Sequence, residues 1–218
     1  SPGSNPSGLA WDGTNIWSCD YSTDKIYKHN TDMTVNTAYN SPGSNPSGLA
    51  WDGANIWSCD YGTNKIYKHN TDMTIDITYN SPAGICFGLT WNGANIWSCD
   101  AIKDKIYKHT ALEITAYDAL DTDLFSICAF NSKLYAGGDT GKIYKSDGNG
   151  ENWGEDYTTG EADILSIFDL NGTLYAGTGN NGKLYVLNEV WSLSNDLDDD
   201  GIYAGVSWKN HNFIGTGV

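Results

Sequence analysis

The segment Gly-Leu-Ala-Trp-Asp-Gly-Thr-Asn-Ile-Trp-Ser-Cys-Asp at 8–20 returns almost letter for letter at 48–60 and again at 88–100. Trp11, Trp51 and Trp91 stand 40 residues apart. A fixed period of roughly 20–50 residues marks a repeat architecture, in which each unit buries its apolar face only against its neighbours. All of 1–218 is therefore read as one domain.

Within the first unit, Ser7–Trp11 reads as a strand and Asp12-Gly13 as a hairpin turn, because Gly tolerates positive φ. Asn15–Asp20 alternates with period two and reads as a second strand, Lys25–His29 as a third and Thr34–Tyr39 as a fourth. Four short antiparallel strands in about 40 residues, without helical periodicity, make one blade of a β-propeller. The units run 1–40, 41–80, 81–120, 121–159 and 160–197, with a partial one at 198–218. The expected fold is all-β, a six-bladed β-propeller of four-stranded antiparallel blades whose last blade is incomplete. Only Ala204–Trp208 and Asn212–Gly215 match its first two strands. A two-stranded blade leaves an edge open to pairing, so self-association through it is expected.

The chain carries 12 basic residues, all Lys, against 27 acidic ones, for a net charge of −15. Phosphate recognition runs on clustered Lys and Arg, so nucleic acid is not an expected partner, and anionic membrane surfaces are disfavoured alike. No apolar run approaches the ~20 residues of a membrane helix, so no membrane insertion is expected. The chain opens at Ser1 inside a repeat, without Met or a basic-then-apolar leader, as a piece of a longer protein or a processed product would. A microbial or viral surface protein, extracellular or on a virion or cell surface, is the expected setting.

Internal repetition separates ring-building residues from others. The first-strand row Trp11, Trp51, Trp91, Phe130, Leu170, Trp208 and the second-strand row Trp17, Trp57, Trp97, Tyr135, Tyr175, Ile214 accept any large apolar side chain. That is how packing between sheets behaves, with a sugar-stacking platform as the alternative. Cys19, Cys59 and Cys99 share one repeat position, filled by Gly137 and Gly177 in units four and five, and read as small buried hydrophobes. Cys86 and Cys128 lie on neighbouring inner strands, where a pairing is conceivable. The repeated Lys25, Lys65, Lys105, Lys142 and Lys183 are expected to pair with loop carboxylates such as Asp20 or Asp24. His29, His69 and His109 read as solvated strand residues, too far apart to share a metal.

At Gly-Leu-Ala-Trp-Asp-Gly-x-Asn-Ile-Trp followed by Lys-Ile-Tyr, units one to three resemble the repeats of NHL- and YVTN-type propellers. The resemblance implies the fold and leaves the activity open. Related gluconolactonase-type enzymes hold a metal with Glu, Asn and Asp at the channel mouth, and no such set can be placed here. Ser146–Trp153 is similar to the Asp-box of sialidase-type propellers, degenerate at Gly148 and Asn152. The resemblance implies a structural turn there. Sialidases bind their substrate carboxylate through Arg, which this chain lacks.

Asp196, Asp198 and Asp200 occupy positions 1, 3 and 5 of an Asp-x-Asp-x-Asp-Gly loop, with Gly201 for the turn and the Ile202 carbonyl at position 7. That spacing suits Ca²⁺, although Ala204 and Ser207 fall where later ligands belong; a plain acidic turn is the alternative. No catalytic set stands out. The expected function is a non-enzymatic binding or structural module, with multivalent carbohydrate binding by repeated loops. Its candidate contacts are Asn5, Asp20, Tyr21, Asn45, Asp60, Tyr61 and Asp100, whose amides, carboxylates and phenols suit glycan hydroxyls. A metal-dependent hydrolase or lyase, or a protein-interaction scaffold, is the alternative.

Overall fold

Alternating apolar residues and a turn every five or six positions produce strands throughout, and no helix forms among the described residues. The computed structural model describes residues 2–82, 84–110, 114–118, 123–147, 150–179, 181–196, 201–208 and 211–216. Blade 1 comprises β1 (Pro6–Trp11), β2 (Ile16–Asp20), β3 (Lys25–His29) and β4 (Val35–Asn40). Blade 2 comprises β5 (Pro46–Trp51), β6 (Ile56–Asp60), β7 (Lys65–His69) and β8 (Ile75–Asn80). Blade 3 comprises β9 (Cys86–Trp91), β10 (Ile96–Asp100), β11 (Lys105–His109) and β12 (Ile114–Asp118). Blade 4 comprises β13 (Leu124–Phe130), β14 (Lys133–Gly138), β15 (Lys142–Ser146) and β16 (Trp153–Thr158). Blade 5 comprises β17 (Ser166–Leu170), β18 (Thr173–Gly177), β19 (Lys183–Leu187) and β20 (Trp191–Asp196). Each is an antiparallel meander in sequence order.

The molecule is a β-propeller with five four-stranded blades, which corrects the six-bladed expectation. The last segment forms only a two-stranded sheet, β21 (Ile202–Trp208) and β22 (His211–Thr216). The physical reason is that β21 and β22 pair as one hairpin, an inner pair on which no outer strand is laid among the described residues. β21 packs against β17 on one side and β1 on the other, so the inner strands succeed one another around a closed circuit.

The core lies between blades. Trp17, Cys19 and Ile26 of blade 1 pack on Leu49 and Ile56 of blade 2. Trp57, Cys59 and Ile66 pack on Cys86, Leu89 and Ile96 of blade 3. Trp97, Cys99 and Ile106 pack on Leu124, Ile127 and Leu134 of blade 4. Blades 4 and 5 solve the same contact differently. A Cβ on Gly137 would stand 2.4 Å from Ile164 Cγ2, and one on Gly177 would stand 2.5 Å from Ile202 Cβ. Small-for-Cys on one blade is matched by Ile on the next, so interblade volume is kept. Serine hydroxyls clasp neighbours: Ser7 Oγ donates to the Pro46 carbonyl, Ser47 to Cys86 and Ser166 to Ile202, each at 2.6 Å.

Register corrects several residue readings. Trp11 faces Ile16, three residues before Cys19; the same count from Gly137 and Gly177 lands on Ala129 and Asp169, not on Phe130 and Leu170. The cause is the β1–β2 hairpin loop, four residues in blade 1 but two, Asn131-Ser132, in blade 4. His29, His69 and His109 are buried rather than solvated, because a blade's sheet is covered on both faces. Their Nε2 atoms meet Ser18, Ser58 and Ser98 Oγ at 2.8 Å. Four of the repeated lysines reach the outer strand of their own blade, Lys25 with Asn40, Lys65 with Asn80, Lys105 with Asp118 and Lys142 with Glu155, whereas Lys183 meets a loop carboxylate, Glu161, between β16 and β17. Register places Lys25 between Asp20 on β2 and Asn40 on β4, and the Asp20 carboxylate accepts from backbone amides. All five cysteines are free.

Candidate functional site

At the end of the ring where β2 turns into β3, each of the first three repeats places a buried carboxylate. Asp20 Oδ1 accepts from the Ser22 and Thr23 amides at 3.0 and 3.1 Å, and its Oδ2 accepts from the Asn5 amide at 3.0 Å. Asp60 accepts from the Asn45 and Thr63 amides, both at 2.8 Å. Asp100 accepts from the Ile85, Ile102 and Lys103 amides at 2.9, 2.8 and 2.8 Å. These three carboxylates are fully buried and bonded to the protein's own backbone. An aspartate that caps a tight turn satisfies donors otherwise stranded beside the channel.

The same bonds tie the other candidates into units. The Tyr21 amide donates to the Asn5 carbonyl at 3.2 Å, and the Tyr61 amide to the Asn45 carbonyl at 3.1 Å. In blade 3 the turn residue is the buried Ala101, so Asp100 has no tyrosine beside it. Tyr21 is 39% exposed, and its ring meets Tyr61 edge-on with centroids 6.5 Å apart. Tyr61 stacks on Phe87 at 5.9 Å, and Phe87 meets Phe125 edge-on at 5.9 Å. Tyr61, Phe87 and Phe125 are half-buried. Burial, then the nearby Tyr21 and Asp60, raise the Tyr61 phenol above its ordinary value, so it remains a donor at neutral pH.

Four rings from four successive blades thus form one arc around the channel mouth. Tyr21 and Tyr61 are among the residues the sequence singles out as candidates, and Phe87 and Phe125 are not. A signal was present. Where the turn tyrosine gives way to Ala101, the inner-strand position held by Ser7 and Ser47 becomes Phe87, so the ring moves from turn to strand. Below the arc, inner strands run close. A Cβ on Gly48 would stand 2.6 Å from the Phe87 carbonyl oxygen. The channel there is about 100 Å³, too small for a sugar, so a ligand would lie across the mouth.

The acidic loop is only partly on view. Asp198, Asp200 and the Asp196 side chain lie outside the described residues; the Asp196 backbone ends β20 opposite Lys183. Ile202 is fully buried, and its carbonyl, the expected position-7 ligand, accepts from Ser166 Oγ. In the Asp-box-like turn, Trp153 Nε1 donates to the Gly150 carbonyl at 3.0 Å, and Gly150 lies so close to the Trp97 ring that a Cβ would stand 2.2 Å from it.

The fold and site define a β-propeller of four-stranded antiparallel blades with an aromatic mouth. No protein-family profile matches the chain, and neither does any curated protein. Among solved structures it is similar to a streptogramin B lyase, with a TM-score of 0.76 and 22% identity over 98% of this chain and 77% of that one. It is also similar to a catalytically inactive virginiamycin B lyase from Staphylococcus aureus with quinupristin, at a TM-score of 0.73 and 19% identity over 94% and 75% of the two chains. A chain of a nidogen/laminin complex matches at a TM-score of 0.73 and 14% identity, over 83% and 74%. At these identities the likeness is one of fold.

Proposed function

We propose that this chain is a non-enzymatic binding module that takes a carbohydrate across the aromatic arc of its channel mouth. The observation that carries this reading is the contiguous row Tyr21–Tyr61–Phe87–Phe125. Aromatic faces suit the apolar faces of pyranose rings, and the Tyr21 and Tyr61 phenols with the Asn5 and Asn45 side-chain amides supply a polar rim. Because the arc joins four blades into one platform, one ligand per chain is expected rather than one per repeat.

The test is a glycan array run with Ca²⁺ and with EDTA, followed by calorimetry on any hit. Tyr61→Ala and Phe87→Ala should each weaken binding about tenfold or more at little cost in thermal stability. Loss in EDTA would make the Asp196–Asp200 loop part of the site. A folded protein that binds no glycan in either condition would sink the carbohydrate reading. A protein-interaction scaffold is the second reading, favoured by Val35, Ile75, Ile77 and Leu193, exposed large hydrophobics on outer strands.

A further inference from the structure

At the opposite end of the ring, a cavity of about 280 Å³ opens between blades 3 and 4. It lies where the repeat changes form. Ala129, at the register position of Trp11, lines it, as does the shortened Asn131-Ser132 turn. Trp91 and Phe130, both half-buried, provide apolar walls. Lys133 is the one cationic lining residue, and no Asp or Glu lines the cavity. Among the described residues, no carboxylate pairs with Lys133.

The absence of acid there has a structural cost. In blades 1 and 2 the indole Nε1 atoms of Trp17 and Trp57 donate to Asp12 and Asp52 Oδ2 at 2.7 Å. Blade 3 has Asn92 at that position, and Asn92 lines the cavity. Asn92 Oδ1 already accepts from the Ala94 and Asn95 amides at 3.1 and 3.0 Å, and its Nδ2 can only donate. Trp97 Nε1 is therefore buried without a partner among the described residues. A local rule broken at a structural cost is a mark of a functional position. Ser132 adds a second: it holds φ at 61°, a left-handed conformation that a glycine occupies at the matching Gly172.

We propose that this cavity binds a small organic carboxylate with a flat apolar body, its body between Trp91 and Phe130 and its charge at Lys133. Asn92 serves it by offering an amide where an aspartate would repel the ligand. Half-buried aromatic walls with one charged group at the rim suit a flat anionic small molecule. The proposal is independent of the carbohydrate reading.

The test is an NMR titration of the intact chain with benzoate, its neutral isostere benzamide and inorganic phosphate. Benzoate should shift the 131–133 amide signals saturably, with benzamide about tenfold weaker and phosphate inactive. Lys133→Gln should weaken benzoate about tenfold or more. Asn92→Asp should weaken it likewise while raising the thermal midpoint, because the aspartate also accepts from Trp97. A merely structural Asn92 would move stability alone. Equal binding of benzamide and benzoate, binding of phosphate alone, or unchanged benzoate affinity in both variants would overturn the proposal.

Discussion

Single residues in this ring are explained by what the adjacent blade places against them. Asp12 illustrates the polar case. Burial pushes its carboxyl up, but bonds from the Trp17 indole and the Asn15 and Thr14 amides outweigh this and hold it below its ordinary value. Its blade 3 counterpart Asn92 forgoes the indole bond, and Asn92→Asp should stabilise the fold by about 1 kcal/mol in urea denaturation. Gly137 illustrates the steric case. Gly137→Ala drives a methyl into Ile164 and should cost about 1–3 kcal/mol. In an Ile164→Ala background that cost should nearly vanish, and a double-mutant cycle measures the coupling. A full cost in both backgrounds would mean that the backbone, and not Ile164, fixes the glycine.

At the scale of the strand pair, β2 with β3 and its two repeats share one arrangement. Lys28, Lys68 and Lys108 sit over the Trp17, Trp57 and Trp97 rings at 5.3, 5.8 and 5.6 Å, and a buried Ser–His pair lies further along. Burial lowers all three histidines, His109 from 6.5 to about 4. Around His109 stand Ser98 from β10 and the Tyr79 ring from β8. The folded pKa lies below the unfolded one, so the unfolded chain takes up the proton first. Stability is complete above pH 6.5 and falls as the pH drops toward about 4, on the order of 3 kcal/mol for His109. Asp12, Asp32 and Asp72 are held below 3.8, so their share is lost only around and below that value. His109→Asn should flatten the thermal midpoint between pH 6.5 and 4.5; an unchanged slope would assign the acid sensitivity to other groups.

Across the whole molecule, stability is a circuit of interblade contacts closed by β21. Ile202 is fully buried with Phe168, Leu170 and Leu184 of blade 5. Removing residues 197–218 should therefore cost at least roughly 3 kcal/mol, lower the thermal midpoint and expose dye-binding apolar surface where blades 1 and 5 lose their shared neighbour. A truncated chain that melts like the full one would show that the five blades hold together without the closing hairpin.

The repeat alone determined the four-stranded meander, the strand positions and the Trp17-type and Cys19-type core rows, because those depend on local alternation and on a period read directly from 11, 51 and 91. Only the tertiary structure decided the count of five blades, the burial of the histidines and the lysine partners. These depend on which strand lies opposite and what covers the second face, and alternation carries neither. The candidate site divides the same way. Asn5, Asp20 and Tyr21 were visible as polar turn residues, but the carboxylates are consumed by backbone amides that no spacing reveals. The arc through Phe87 and Phe125 exists because residues distant in the chain meet at one mouth, where curvature of the ring brings turn and inner strand within a ring's width.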